Sequence, residues 1–368
     1  MKVAFRVDAS LQMGSGHVMR CLTLADALRQ RGAECLFLCR EHPGNLNGLV
    51  RDRGYPLVPL PLLPPAGSES GGQPAHAGWL GATQAQDAAA CRASLQALQP
   101  DWLVVDHYGL DGRWEQALRS TCRLLMVIDD LADRDHACDL LLDQNLGRCA
   151  ADYAGRVPPS CSLLVGPQFA LLRPEFAALR AVSLQRRQSP RLRQLLVSMG
   201  GVDLPDASGA VLRALRQCRL PADARITVVM GAAAPWLEPV RRLAEQMPWP
   251  TRVLVNVADM AQLMAECDLA IGAAGSTCWE RCCLGVPTLM VVLADNQKEA
   301  AAALEAAGAA SLLSLDDRLQ TSLARCVEEF ACAPQRLAAM SHAAAEITLG
   351  DGCEELVERL LDQREKCQ

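Results

Sequence analysis

Arg6-Val7-Asp8, Gly14-Ser15-Gly16-His17 and Val18-Met19-Arg20 crowd the start of this 368-residue chain. An apolar run, Val3 to Val7, leads into a glycine-rich turn, and residues that read as a helix follow from about His17. Gly14 and Gly16 let the backbone bend tightly and approach a ligand closely. A helix start behind them offers free N–H groups and a partial positive charge to an anion. G-x-G alone is a weak dinucleotide signal, and Met19 stands where a third glycine would complete it. The histidine at the mouth of the turn adds the chemistry. An imidazole with a pKa of about 6.5 suits proton transfer at neutral pH, and here it would face a bound phosphate ester. Asp8, at the end of the same strand, is in position to fix its tautomer. The plainer alternative is a solvated first-turn histidine. His42, His76, His136 and His342 have no comparable setting and read as surface or packing residues.

Four further constellations carry candidate chemistry. Gly272-Ala273-Ala274-Gly275-Ser276-Thr277 follows an apolar strand and opens a helix with Trp279 and Glu280. Its small residues allow close backbone approach, while Ser276 and Thr277 can cap the helix or bind phosphate oxygens. Glu280, one turn on, would reach sugar hydroxyls; equally, it reads as a solvated first-turn acid. Ser198-Met199-Gly200-Gly201-Val202-Asp203 is a second glycine loop after a strand, or simply a tight turn. Asp106-His107-Tyr108 ends the apolar run Trp102–Val105, and Asp295-Asn296-Gln297 follows Leu289–Leu293. Polar residues at C-terminal strand ends of a parallel sheet are site candidates; helix capping is the alternative for both.

The elements that must position these residues alternate. Strands are expected at Lys2–Val7, Glu34–Cys39, Leu57–Leu60, Asp101–Asp106 and Leu124–Ile128, with helices at Val18–Gln30, Thr83–Leu98 and Gly112–Ser120. A second series has strands at Leu195–Ser198, Arg225–Met230, Arg252–Asn256, Leu269–Gly272 and Thr288–Val292, and closes with helical segments from Ser322 to Gln363. Several strands are continuous apolar runs, as in a parallel sheet buried on both faces. Between Pro61 and Gly78 the composition turns to Pro, Gly and Ser and reads as a mobile surface loop; the basic stretch Leu184–Arg193 reads as a linker. The fold class is therefore α/β, two doubly wound Rossmann-like domains, 1–183 and 184–368, facing a central cleft.

Composition excludes several classes. Half the residues are hydrophobic, 21% are charged and the net charge is -6, which argues against a nucleic-acid or anionic-membrane partner. No run of about 18 apolar residues and no signal core are present, so a cytoplasmic location is expected. The 17 cysteines are scattered and odd in number, without a C-x-x-C pair. They read as small buried apolar residues rather than disulfides or zinc ligands. No metal and no cofactor is implied.

Taken together, Arg6-x-Asp8, Gly14-x-Gly16-His17-x-x-Arg20, Trp79-Leu80-Gly81-x-Thr83-Gln84-x-x-Asp87 and Trp102 to Tyr108 resemble one family. So do Val197 to Asp203, Val229-Met230-Gly231, Gly275-Ser276-x-x-x-Glu280 and Asn296-Gln297. The chain is similar, along nearly its whole length, to the UDP-2,4-diacetamido-2,4,6-trideoxy-β-L-altropyranose hydrolases of pseudaminic acid biosynthesis, which are built like the GT-B glycosyltransferases. The resemblance implies hydrolysis of a UDP-sugar, with His17 activating water and the anomeric centre inverted. Asp8, Tyr108 and Asn296 would complete the catalytic set. Gly14, Gly16, Arg20, Asp106, Met199, Gly200, Gly201, Gly275, Ser276 and Glu280 would bind substrate, Glu280 at the ribose. Ala273-Ala274 and Val202 depart slightly from the family pattern. The expected partner is the small-molecule UDP-sugar, with no nucleic acid and no stable membrane association; a monomer is compatible with this. A glycosyltransferase using an acceptor alcohol, or a non-catalytic nucleotide-sugar binding protein, would use the same motifs.

Overall fold

The structure, a computed structural model, describes residues 1–63 and 72–366. The expected loop between Pro61 and Gly78 lies partly outside them, at residues 64–71. Two compact units divide the chain: residues 1–171 with the segment from Gly352 onward, and Leu172–Asp351. No helix among the described residues is long and apolar enough to cross a membrane.

In the first unit the described strands are β1 (Lys2–Val7), β2 (Glu34–Arg40), β3 (Leu57–Leu60), β4 (Trp102–Asp106), β5 (Leu124–Ile128), β6 (Leu140–Asp143) and β7 (Ser162–Val165). All pair in parallel, in the order β3-β2-β1-β4-β5-β6-β7. Helices α1 (Gly16–Gln30), α2 (Asn47–Asp52), α3 (Gln84–Leu98) and α4 (Gly112–Leu118) fill the crossovers. Successive side chains of a strand point to opposite faces, and the two faces have separate cores. Val3, Phe5, Val7, Trp102 and Val104 pack with Val18, Cys21, Leu22 and Ala25 of α1. Ala4, Leu103 and Val105 pack with Ala88, Cys91 and Leu95 of α3 and Trp114 of α4. The continuous apolar runs are thus buried on both sides.

Chain order jumps between β1 and β4, the switch point where ligands bind in such sheets. A buried ionic network fixes the end of β1 there. Arg6 donates Nη1 to Asp8 at 2.6 Å and Nη2 to Asp87 at 2.7 Å, while Arg40 Nη2 reaches Asp87 at 2.6 Å. The Trp114 indole N–H donates to Asp87 at 2.9 Å and the Arg40 backbone N–H to Asp8 at 2.6 Å. All four charged side chains are inaccessible to water. Burial opposes the ionised form of Asp87, but Arg6 and Arg40 outweigh it and hold the carboxyl below its ordinary range.

A second clamp holds the connection from β5 to β6. His136 Nδ1 lies 2.7 Å from Glu115 Oε1 on α4, and Arg134 pairs with Asp129 at 2.9 Å. His136, expected as a packing residue, is buried but ionic. Burial pulls its ring down, yet Asp129 and Glu115 outweigh that and raise it to about 9.

The second unit opens with α5 (Pro174–Arg187), followed by β8 (Gln194–Ser198), α6 (Ala207–Leu215), β9 (Arg225–Met230), α7 (Leu237–Glu245), β10 (Thr251–Val255) and α8 (Met260–Glu266). Then come β11 (Leu269–Ala273), α9 (Thr277–Cys283), β12 (Thr288–Val291), α10 (Lys298–Ala306), β13 (Ser311–Leu313), α11 (Leu319–Cys332) and α12 (Gln335–Ala345). The parallel order is β10-β9-β8-β11-β12-β13, with its switch point between β8 and β11.

Three features differ from the sequence reading. The position 183/184 falls within α5, whose basic end is packed rather than a linker. Arg187 donates to the carbonyls of Met264, Ala265 and Cys267, which closes the end of α8. The last helix, Gly352–Lys366, belongs to the first unit: Leu356, Val357 and Leu360 join the α1-side core, and the Trp102 indole donates to Leu360 O at 3.1 Å. Finally β6, β7 and β13 are added strands, each of three or four residues. The described cysteines are free thiols, most of them buried.

Two stability experiments test these networks. Asp87→Asn leaves Arg6 and Arg40 short of a buried anion and should cost about 3–5 kcal/mol in urea unfolding; a loss below about 1 kcal/mol, the value of an exposed pair, would refute it. The His136 contribution is full below the unfolded-state pKa of about 6.5 and is lost as pH rises toward about 9, a swing of about 3 kcal/mol. His136→Gln should flatten the fall in stability between pH 6.5 and 9, and an unchanged slope would assign that fall elsewhere.

Candidate functional site

Strand parity decides what meets His17. Asp106 follows Trp102 and Val104 on the face covered by α1, whereas Asp8 follows Ala4 and Arg6 on the face covered by α3. Accordingly His17 Nδ1 lies 2.6 Å from Asp106 Oδ1, and Asp8 is held by Arg6. Of the carboxylates that could orient His17, it is Asp106, expected to bind substrate, and not Asp8, that meets its Nδ1. A carboxylate on Nδ1 demands the Nδ1–H tautomer and leaves Nε2 as a base. That nitrogen has no hydrogen-bond partner among the described residues, and 10% of the side chain is exposed.

The turn before α1 is built for this placement. Ser10 Oγ accepts the N–H groups of Gln12 and Met13, and Gly14 N donates to Ser10 O at 2.8 Å. Gly14 has φ +75°, a conformation that glycine adopts without strain. Gly16 opens α1, and Arg20, one turn beyond His17, shares its carboxylate. Arg20 Nε reaches Asp106 Oδ2 at 2.7 Å and its Nη2 reaches Asp130 at 2.7 Å. Tyr108 Oη donates to Asp130 at 2.5 Å, and its ring meets the His17 ring edge-on at 4.6 Å. The contacts close a circuit: His17, Asp106, Arg20, Asp130, Tyr108 and back. Burial opposes ionisation of Asp106, but Arg20 and His17 outweigh it and hold the carboxyl well below its usual range.

Arg20 is thus paired with both Asp106 and Asp130, and the Tyr108 hydroxyl is engaged by Asp130. Sequence reasoning missed Asp130, although its place two residues beyond β5 was a signal. It also reads His76 as a surface or packing residue. His76 meets Trp79 edge-on at 4.4 Å and lies 5.5 Å from Tyr108, so the three rings adjoin. His107 turns to the other face. Its Nδ1 accepts Gly109 N–H at 2.9 Å, so the ring proton sits on Nε2, 3.4 Å from Asp8. Burial holds this ring below its ordinary pKa, hence neutral.

In the second unit the two glycine loops leave adjacent strand ends, since Gly272 of β11 pairs with Ser198 of β8. Met199 is buried, and Gly200 takes φ +89°. Asp203 is a cap, its carboxylate accepting Ala207 and Ser208 N–H at 2.8 and 2.9 Å. The turn after β9 presses on this loop, because a Cβ at Gly231 would stand 2.1 Å from Gly201 O. Gly275 and Ser276 form the other loop; Ser276 makes no side-chain cap bond. Glu280 lies on α9, partly exposed and without a hydrogen-bond partner among the described residues. Burial raises it to about 7, against the pull of Arg173 and Arg281. Asn296 sits part-buried in the turn Asp295–Gln297, whose Gln297 Oε1 accepts Leu293 N–H and whose Nε2 faces Gly275. The structure thus gathers His17, Asp106, Arg20 and Tyr108 in the first unit. Gly200, Gly201, Gly275, Ser276, Glu280 and Asn296 belong to the second.

Residues 197–356 match the Glycosyltransferase family 28 C-terminal domain. The chain is 25% identical over 82% of its length, and 95% of the relative's, to UDP-2,4-diacetamido-2,4,6-trideoxy-beta-L-altropyranose hydrolase of Campylobacter jejuni. It is 22% identical over 81% of its length to an uncharacterized protein of Methanocaldococcus jannaschii, of which the match spans 57%. Among solved structures, MurG of Acinetobacter baumannii superposes with a TM-score of 0.72 at 18% identity, covering 98% of this chain and 99% of that one. The resemblance carried by the motifs therefore extends over four fifths of the chain, and the two doubly wound domains have the GT-B-type fold.

Proposed function

We propose that the protein hydrolyses a UDP-sugar to UDP and the free sugar, with UDP-2,4-diacetamido-2,4,6-trideoxy-β-L-altropyranose as substrate, in pseudaminic acid biosynthesis. The His17–Asp106 bond of 2.6 Å carries this reading. A non-catalytic binding protein needs no imidazole whose tautomer is fixed by a buried carboxylate. In the proposed reaction, water gives a proton to His17 Nε2 as its oxygen attacks the anomeric carbon. Asp106 stabilises the imidazolium that forms, without taking the proton. The C–O bond to UDP breaks in the same step, so the anomeric configuration inverts. The glycine loops of the second unit receive the diphosphate through backbone N–H groups. Glu280 holds the ribose hydroxyls, and Asn296 and Tyr108 line the sugar and water positions. Similarity to the hydrolase over 82% of the chain supports the substrate class.

One observation favours a second reading: the family 28 match over residues 197–356 fits a glycosyltransferase, in which an acceptor alcohol replaces water at the same base. An NMR time course of the purified protein with the UDP-diacetamido sugar, no acceptor and added EDTA separates the two. UDP and an inverted free sugar are expected; a stable substrate that turns over only when an alcohol is added would establish the transferase.

His17→Ala should lower kcat by about 10²–10⁴-fold, or about 3–5 kcal/mol of barrier, with UDP affinity nearly unchanged. A variant with wild-type kcat would remove His17 from the mechanism. Glu280→Ala should instead weaken UDP binding by about tenfold or more, about 1.4 kcal/mol, and unchanged calorimetric affinity would sink the ribose role.

A further inference from the structure

Arg281 is a buried cation without a carboxylate. Only 2% of it is exposed, and no Asp or Glu among the described residues lies within ion-pair distance. The other deeply buried arginines have fuller partners, Arg6, Arg20, Arg40 and Arg134 in carboxylates and Arg187 in four backbone carbonyls, although the Nε of Arg40 and of Arg187 is also unpartnered. Arg281 has much less. Its Nη2 donates to Ala273 O at 2.7 Å, its Nη1 lies 3.4 Å from Thr277 Oγ1, and its Nε has no partner. A buried guanidinium left this bare is costly unless a negative charge arrives to compensate it.

Its position says where that charge would come from. A Cβ on Gly272 would stand 2.3 Å from Arg281 Nη1 and 3.0 Å from Ser198 O. The guanidinium therefore occupies the space a side chain at 272 would fill, over the last register pair of β8 and β11. That pair is the switch point of the second sheet, where ligands of doubly wound domains bind. Both glycine loops spring from it, Met199-Gly200-Gly201 after Ser198 and Ala274-Gly275-Ser276 after Ala273. Of the groups whose fields reach it, the Cys278 and Cys282 thiols are kept protonated by burial, and Glu280, which forms no ion pair with it, has a carboxyl that burial raises to about 7.

We propose that Arg281 is the fixed counter-charge of the diphosphate: a positioning residue beneath the two glycine loops that favours a nucleoside diphosphate over an uncharged nucleoside without touching either. This rests on the nucleotide-sugar reading above. The field of a buried charge is weakly screened, so it acts on both the bound ester and the departing UDP, whose negative charge grows as the C–O bond breaks. Gly272 is then explained as the residue that leaves room for the cation.

Calorimetric and NMR titrations with UDP and with uridine, on wild type, Arg281→Met and Arg281→Lys, test the idea. Arg281→Met should weaken UDP by about tenfold or more while uridine affinity changes little. Arg281→Lys, which keeps the charge, should hold the UDP-to-uridine affinity ratio within about threefold of wild type. Equal losses for both ligands in Arg281→Met, or no loss, would make the residue merely structural. Should Arg281→Met fail to fold, a Lys variant that loses the UDP preference would overturn the charge argument, and one that keeps it would sustain it. A wild-type chain that binds neither ligand would overturn the nucleotide-sugar reading itself, an outcome distinct from wild-type UDP binding that Arg281→Met leaves unchanged.

Discussion

The carboxylate of Asp106 has two obligations, and the first unit is arranged around them. One oxygen takes the Nδ1–H of His17 and the other takes Arg20 Nε. Full burial would push a lone carboxyl toward its neutral form, which would leave His17 free to rotate and to exchange tautomers. Arg20 prevents this by keeping Asp106 ionised, and Asp130 in turn orients Arg20 through its own oxygens. Four carboxylates, Asp8, Asp87, Asp106 and Asp130, meet three guanidinium groups, Arg6, Arg20 and Arg40, around the ends of β1 and β4. On the proposed mechanism, this negative excess suits an imidazole that becomes a cation during the reaction.

The second sheet solves the opposite problem with the same topology. Its switch point carries glycines, alanines and one buried arginine outside any ion pair, beside Glu280, and its surface is largely backbone. Backbone N–H groups and a fixed cation suit an anion that arrives and leaves; fixed carboxylates suit a proton that is taken and returned. Two copies of one architecture thus carry different groups at equivalent positions. That division follows from which residues stand one or two places beyond β1, β4, β8 and β11, where the parallel ladder ends and side chains are freed from packing.

Much of this was legible in the sequence because parallel strands buried on both faces are apolar runs, and several of β1 to β5 and β8 to β12 read that way. The short strands β6, β7 and β13 were not expected. The return of the last helix to the first unit rests on the Trp102 indole and the apolar face of α1, a pairing some 258 residues apart in sequence. The glycine loops and His17 stood out by residue type. Choosing between Asp8 and Asp106 needed more: the parity of each strand and the knowledge that α1 covers the odd-numbered face of β1. Arg281 was hidden because a buried arginine looks like any helix arginine until the empty side of Gly272 is seen beneath it.

Asp8 loses its expected role yet remains ionic and buried, and the reason bears on precision rather than on stability. Replacing a buried ion pair by apolar groups is often neutral or stabilising, so Arg6, Asp8, Arg40 and Asp87 are poorly explained as a source of folding free energy. Their geometry explains them better. Asp8 accepts Arg40 N–H, which ties the end of β1 to the end of β2, and Asp87 draws α3 onto both arginines. The last ordered residue before the His17 turn is therefore fixed by directional bonds, which an apolar core, tolerant of small slips, does not supply. The neutral His107 ring fills the space beside Asp8 from β4 without adding charge. The general base proposed for His17 would have to be held within a fraction of an ångström of its proton. The network behind β1 supplies that constraint from one side, and Asp106 supplies it from the other.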